Sequence, residues 1–120
     1  MTLRTKDVTA LMQCNNTQVD YAYRDANNYK MYNTVVLEGN LTYEQIEFIL
    51  STRRDDEFFI PAQVGLPEKR FPDYDPNADH PWFVLPDEAF SPTNQKATHS
   101  ITAAELFEKF KKVGGAWIET

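Results

Sequence analysis

The sequence has few residues that cross-link small proteins or make their backbone flexible, since its 120 residues include one cysteine and four glycines. Cys14 has no second cysteine with which to form an intramolecular disulfide or a CxxC metal or redox site. Because small secreted domains usually carry disulfides, we expect a cytoplasmic protein, in the host cytoplasm if a phage encodes it. No apolar run approaches the roughly 20 residues of a membrane span, and Met1–Lys6 has no signal-like apolar run, so neither a span nor a signal peptide is expected.

Basic residues are also in deficit. Twelve Lys and Arg against eighteen Asp and Glu give a formal net charge of -6. Generic binding to nucleic acid or to an anionic membrane needs a basic excess, so neither is expected, although one local cationic pocket for a small anion is compatible with this charge. Aromatic residues, in contrast, are plentiful: eight Phe, six Tyr and two Trp. That load predicts a packed single domain over residues 1–120, with 1–18 as a candidate N-terminal extension, and favours a homo-oligomer.

A β-hairpin is predicted in the first third of the chain. Val19, Tyr21 and Tyr23 alternate with polar or small residues, which is the period of a strand. Asp25–Asn28 has the composition of a turn, because Asn tolerates left-handed backbone. Tyr29–Glu38 is rich in aromatic and β-branched residues and is predicted to be the return strand.

Two helices are predicted over residues 43–52 and 103–113. In both, a threonine precedes Gln or Glu by three positions, which is the spacing of a capping box, and apolar residues flank the pair as a hydrophobic staple. The capping pairs are Thr42 with Gln45 and Thr102 with Glu105. A shorter helix is predicted over Lys6–Cys14, and Trp117 with Ile118 is expected to fold back as a short strand or a packing anchor.

Prolines divide the remaining sequence. All seven lie between Pro61 and Pro92, so residues 61–100 are expected to be ordered loop with short strands only. Short strands are predicted at 58–60 and 82–85, and the polar stretch 91–99 is expected to be a mobile loop. The predicted fold is α+β: a small, mainly antiparallel sheet of three to five strands with the two capped helices packed on one face.

The hairpin turn carries the most specific candidate chemistry. Arg, Lys, Asn and Tyr are concentrated around it, and such residues grip phosphate and stack on or hydrogen-bond to a base. More basic and aromatic residues follow the first helix and precede the predicted strand at 82–85. The candidate ligand-binding residues are Arg24, Asn28, Tyr29, Lys30, Arg53, Arg54, His80 and Trp82. The alternative is a solvated hairpin tip with a surface pair between Arg24 and Asp25.

A second candidate is the acidic stretch Asp73–His80. Its acidic and amide residues at every second position resemble a calcium loop, but Ala78 and Val84 stand where Gly and Glu are needed. Asp75, Asp79 and His80 could also serve a small hydrolase, although His80 before Pro81 is more typical of a histidine that orders a loop. No metal site and no cofactor are predicted, and no motif for nucleophilic catalysis is present.

Three motifs resemble a family of small uncharacterised bacterial and phage proteins. They are YRDANNYK at 23–30, EFFIP followed by VGLP within 57–67, and DHPW at 79–82, and the resemblance runs from about residue 21 to 118. More distantly, the chain is similar to the phage Thoeris anti-defence nucleotide sponges, which are small, oligomeric, non-enzymatic proteins that sequester cyclic nucleotide signals. That resemblance implies phosphate binding by Arg24 and by Arg53 or Arg54, stacking of a base on Trp82 or Phe83, and a contribution of Lys109 to the neighbouring subunit.

Three functions follow as hypotheses from these residues and resemblances. The first is a non-enzymatic protein that sequesters a nucleotide-derived anion at a subunit interface. The second is an inhibitor or immunity-type module whose acidic surface covers a basic partner. The third is the small hydrolase.

Overall fold

The computed structural model describes residues 15–75 and 79–118. A five-stranded, mainly antiparallel sheet packs against two α-helices, as the α+β prediction requires. The elements in chain order are β1 (Asn16–Arg24), β2 (Lys30–Glu38), α1 (Tyr43–Ser51), β3 (Phe58–Phe59), a 3₁₀ helix (Pro61–Val64), β4 (Phe83–Val84), β5 (Phe90–Thr93) and α2 (Ala103–Val113). The predicted helix over Lys6–Cys14 lies outside the described residues.

The hairpin of β1 and β2 forms the longest pairing of the sheet, with β1 as the central strand and β2 at the edge. The two strands pair without a bulge from Asn16 opposite Glu38 to Arg24 opposite Lys30. Asn28 in the turn has φ of 69°, the left-handed conformation for which asparagine is suited. The predicted hairpin is thereby confirmed, and its first strand begins at Asn16 rather than Val19.

The two faces of the sheet differ in what covers them. Odd-numbered residues of β1 and β2 point to the helices, and the apolar ones join Ile49 of α1 and Leu106 and Phe110 of α2 in one core cluster. Those apolar residues are Val19, Tyr21, Tyr23, Val35 and Leu37. Even-numbered residues point to the opposite, outer face. Period-two alternation therefore places Arg24 and Ala22 of β1 on the face that the helices leave uncovered.

Both predicted capping boxes are present. The Thr42 hydroxyl accepts from the Gln45 backbone N–H at 3.1 Å, and the Gln45 side chain accepts from the Thr42 N–H at 2.8 Å. The same reciprocal pair joins Thr102 and Glu105. α2 ends at Gly114, whose φ of 54° is left-handed, so each helix begins and ends close to where its sequence signals place it.

The proline-rich region forms short strands, as predicted, but its last part differs from the expectation. β3 and β4 have two residues each and pair with one another, and β4 also pairs with the end of β1. Residues 91–93, expected to begin a mobile loop, instead continue β5, which pairs with β1 through Asn16–Val19. That strand tolerates Pro92 because it pairs with β1 alone, so a missing N–H on its free side costs nothing.

The C-terminal segment is held by Trp117. Its indole Nε1 donates to the Thr52 carbonyl oxygen at 2.8 Å, and its ring meets Phe59 and Phe110 edge-on. Trp117 is therefore the packing anchor that was one of its two predicted roles. No helix in the described part of the chain has the length and apolar character needed to cross a membrane.

Candidate functional site

A cleft of about 390 Å³ opens on the outer face, where β1 ends and β3 begins. Its volume lies in the range of roughly 300–1,000 Å³ that small-molecule sites occupy. Five of its lining residues were among the predicted ligand-binding residues, and four were not. The predicted ones are Arg24, Asn28, Arg54, His80 and Trp82, and the others are Asp25, Ala26, Asp55 and Phe58. We call this the arginine cleft.

Arg54 has the most exposed cationic group of the arginine cleft. Its guanidinium carbon lies 5.1 Å from the centroid of the Trp82 ring, which is within the range of a cation–π contact. Trp82 is only 8% exposed, so its ring supports Arg54 rather than offering a free face to a ligand. No salt bridge joins Arg54 to another described residue. A guanidinium that packs against an aromatic ring makes no hydrogen bond to it, so its N–H groups are available to donate to a phosphate or carboxylate.

Arg24 lies beside it in a similar arrangement. Its guanidinium carbon is 5.8 Å from the centroid of Phe58, which pairs across the sheet with Val84. One Arg24 nitrogen also lies 3.2 Å from a Glu57 oxygen, so the expected pair with Asp25 is replaced by one with Glu57. Both partners are partly exposed, and such pairs contribute little, so a ligand anion can compete for Arg24 at small cost.

A strained turn sets the position of Arg54. Asp55 and Asp56 have φ of 53° and 56°, a left-handed conformation at two consecutive non-glycine residues. The turn is closed by the Arg54 N–H donating to the Phe58 carbonyl oxygen at 2.8 Å and by the Glu57 N–H donating to the Arg54 carbonyl oxygen at 3.1 Å. Turns of this kind favour Asn-Gly, so the sequence keeps two unfavourable residues at the edge of the cleft. Backbone strain of this sort is concentrated at functional sites.

His80 has both ring nitrogens engaged with backbone. Nδ1 accepts from the Trp82 N–H at 3.2 Å, and the other nitrogen, Nε2, lies 2.7 Å from the Arg24 carbonyl oxygen. Since an accepting Nδ1 leaves the proton on Nε2, the ring is the neutral tautomer that donates to Arg24. The ring also packs against Tyr23, with centroids 5.1 Å apart. These contacts support the structural reading of His80, as a residue that orders the loop before β4.

The remaining predicted residues lie elsewhere. Arg53 points away from the arginine cleft: its side chain is 9% exposed, donates to the carbonyl oxygens of Leu50 and Leu85 at 2.9 and 2.7 Å, and pairs with Asp87 at 2.9 Å. Tyr29 is exposed at the turn, and Lys30 lines a second cleft on the same face. Phe83, the alternative stacking residue, is fully buried. Of the two adjacent arginines, Arg54 is the one available to a ligand.

Within the acidic stretch, Asp75 and Asp79 are hydrogen-bonded to each other. The Asp79 carboxylate accepts from the Asp75 N–H at 2.8 Å, and the Asp79 N–H donates to the Asp75 carbonyl oxygen at 2.8 Å. The Asp79 carboxylate thus has a partner within the acidic stretch itself. Residues 15–75 and 79–118 contain no group of three His, Cys, Asp or Glu side chains placed to hold a metal ion.

The arginine cleft is balanced in formal charge but not in available groups. One carboxylate oxygen of Asp25 accepts hydrogen bonds from the Asn27 and Tyr29 N–H groups, both at 2.9 Å, so part of the negative charge of Asp25 is satisfied inside the turn. Arg54 keeps its donors free of such partners among the described residues. The Asp55 carboxylate also lines the cleft, but the two guanidinium groups carry five N–H donors each, so donors outnumber acceptors. No family model, curated protein or solved structure matches this chain.

Proposed function

We propose that the protein binds a nucleotide-derived anion in the arginine cleft without transforming it, and so sequesters it in the cytoplasm. The observation that supports this most strongly is the pairing of Arg54 with Trp82, an exposed guanidinium held on a buried indole. This arrangement fixes the donor edges of Arg54 in advance, which reduces the ordering cost of binding. Arg24, 5.8 Å from Phe58, supplies a second fork of donors on the same face.

A second copy of the chain would complete the site. The arginine cleft lies on the outer face, which neither α1 nor α2 covers, so among the described residues a ligand bound there by one chain keeps part of its surface in water. Closing a site expels that water and strengthens every charged contact inside it. We therefore extend the proposal to a homo-oligomer whose subunit interface runs across the outer face.

The test is ligand binding by isothermal titration calorimetry, with pyrophosphate, AMP and ADP-ribose as probes. Wild-type protein should bind at least one of them, and R54A should weaken that binding roughly 10- to 100-fold, because hydrogen bonds to charged groups contribute about 1.5–3 kcal/mol. R54K should also bind more weakly than wild type, since lysine keeps the charge but lacks the planar fork.

Lys112 offers a matched control for the loss of one positive charge. It is an exposed residue near the end of α2, outside the arginine cleft, so K112A should bind the probes as the wild type does. Equal weakening of probe binding by R54A and K112A would show that the lost positive charge, and not the position of Arg54 in the cleft, causes the weaker binding. Absence of binding to all three probes at low ionic strength would overturn the proposed function.

A protein partner is the second candidate, and exposed tyrosines favour it. Tyr29, Tyr32 and Tyr43 are each about 70% exposed, and tyrosine is enriched at protein interfaces. Under this alternative the acidic chain covers a basic partner, and the interaction weakens steeply with salt. Salt-dependent capture of one stoichiometric partner, with no small molecule bound, would favour it over sequestration.

A further inference from the structure

The outer face continues beyond the arginine cleft along one row of side chains. Phe58 lies opposite Val84, Val84 opposite Ala22, and Ala22 opposite Tyr32, so four strands contribute one residue each to a single row. Phe58 lines the arginine cleft, whereas Ala22, Val84 and Tyr32 line a second cleft of about 330 Å³. The two clefts therefore lie on one face and are joined by one cross-strand row.

The small side chain of Ala22 makes the second cleft. Val84 and Tyr32 stand on either side of it in the row, and their larger side chains leave a depression over its methyl group. Pro86 adds a further apolar wall, and the Tyr32 side chain is 70% exposed beside it. The result is an apolar floor next to an exposed aromatic ring, a surface suited to a flat heterocycle.

The two clefts differ in charge. The second cleft has no arginine; its charged residues are Lys30, Asp20 and Glu88. Two carboxylates against one ammonium disfavour a second phosphate there and favour a group that donates hydrogen bonds. Exocyclic amines of nucleobases are such donors, and carboxylates accept from them. Both Asp20 oxygens already accept, from the side chains of Gln18 and Thr34 at 2.9 and 2.7 Å. Glu88 is therefore the carboxylate of the second cleft that accepts from such an amine.

We propose that the second cleft binds the nucleobase of the ligand whose phosphate lies in the arginine cleft, with a preference for a base that bears an exocyclic amine. The inference rests on the proposed function and deepens it. The distance between the two clefts allows one nucleotide to occupy both. Arg24 and Ala22 lie two residues apart on the same face of β1, which is about 7 Å along the strand. The reverse orientation would place the phosphate beside Asp20 and Glu88 and leave Arg54 facing the base.

The test compares ligands that share a phosphate and differ in the base. Ribose 5-phosphate, CMP and UMP are titrated into the wild-type protein. CMP should bind roughly 10-fold or more tightly than ribose 5-phosphate, since stacking of a base on an aromatic side chain contributes about 1–3 kcal/mol, equivalent to about 5- to 150-fold. CMP should also bind more tightly than UMP, because UMP has a carbonyl where CMP has the amine.

Two variants then locate the base. A22L fills the depression, and Y32A removes an exposed ring without touching the core; either should bring the affinity for CMP down to that for ribose 5-phosphate. A22S is the matched control, because serine keeps the depression open. R54A should instead weaken all three ligands together.

The outcomes separate the two proposals. The nucleobase site is overturned if CMP and ribose 5-phosphate bind the wild type equally. It is also overturned if CMP still binds more tightly than ribose 5-phosphate in both Y32A and A22L. In either case, binding that is weakened by R54A keeps the proposed function. If none of the three ligands binds the wild type, the nucleobase site is overturned, whereas the proposed function is overturned only if pyrophosphate, AMP and ADP-ribose also fail to bind.

Discussion

His80 Nε2 lies 2.7 Å from the carbonyl oxygen of Arg24, so a histidine in the loop before β4 closes the open end of β1. The same ring accepts from the Trp82 N–H through Nδ1. One imidazole thus links the backbones of Arg24 and Trp82, which both line the arginine cleft. Its place between two backbone segments gives it a positioning role, with no ring nitrogen left over for acid–base chemistry in this arrangement.

Replacing His80 should therefore lower stability. H80A removes a donor and an acceptor and should lower the free energy of unfolding by about 1–3 kcal/mol, because the Arg24 carbonyl and Trp82 N–H lose their partners. H80Q keeps an N–H donor near the position of Nε2 but has no acceptor at the position of Nδ1, so its stability should lie between those of H80A and wild type. Urea denaturation followed by Trp fluorescence measures both. Unfolding of H80A indistinguishable from that of wild type would contradict this role.

Truncation of the two adjacent arginines should lower the free energy of unfolding by different amounts. R53A should destabilise by about 2–4 kcal/mol, because it leaves the Leu50 and Leu85 carbonyl oxygens without their buried charged donor. R54A should cost at most about 1 kcal/mol, the value of an exposed cation–π contact. Urea denaturation of both variants, with ligand titration of R54A, tests whether Arg53 serves stability and Arg54 serves ligand binding. A large loss of stability in R54A would show that Arg54 is a structural residue.

The local parts of the fold were predictable because their signals lie close together in sequence. A capping box needs residues three positions apart, and the hairpin needs one period-two pattern around one turn. Thr42 with Gln45 and Thr102 with Glu105 therefore mark the starts of both helices correctly. The strand at 90–93 was missed because its pairing with β1 joins residues far apart in sequence.

The candidate site was predictable in its composition but not in its geometry. Sequence brought Arg24, Arg54, His80 and Trp82 to attention, and all four line one cleft. It could not divide Arg53 from Arg54, because that depends on which of two neighbouring side chains meets the Leu85 carbonyl oxygen. The second cleft gave no signal, since alanine in a strand is unremarkable until register places Val84 and Tyr32 on either side of Ala22.

The left-handed conformation of Asp56 predicts that glycine is more favourable than alanine at this position. D56G should be more stable than D56A by about 1 kcal/mol, because glycine adopts the left-handed φ of this position without a Cβ penalty. The comparison of two small residues removes the contribution of the carboxylate. Urea denaturation measures the difference. If D56A equals or exceeds D56G in stability, Asp56 does not hold a left-handed conformation in solution.

Tyr23 predicts how stability changes at alkaline pH. Its side chain is 2% exposed and its hydroxyl donates to the His80 carbonyl oxygen at 3.0 Å. Burial, followed by the nearby Asp79 carboxylate, raises the pKa of Tyr23 from 10.0 to about 12. A raised pKa in the folded state means that the unfolded chain loses its proton first. The stabilisation that the protonated Tyr23 hydroxyl contributes to the folded state is complete below about pH 10. It is lost as the pH rises towards 12, by up to about 1.4 kcal/mol per pH unit.

Y23F isolates this effect, because phenylalanine cannot titrate. At neutral pH the variant should be less stable than wild type by about 1 kcal/mol, the value of the lost hydrogen bond. The gap should narrow above about pH 10 and then reverse, since only the wild type loses stability through this group. Burial also raises the pKa of Tyr21, but that effect is common to both proteins and cancels in their difference. Urea denaturation across this pH range measures the gap, and a constant gap would contradict a buried, protonated Tyr23.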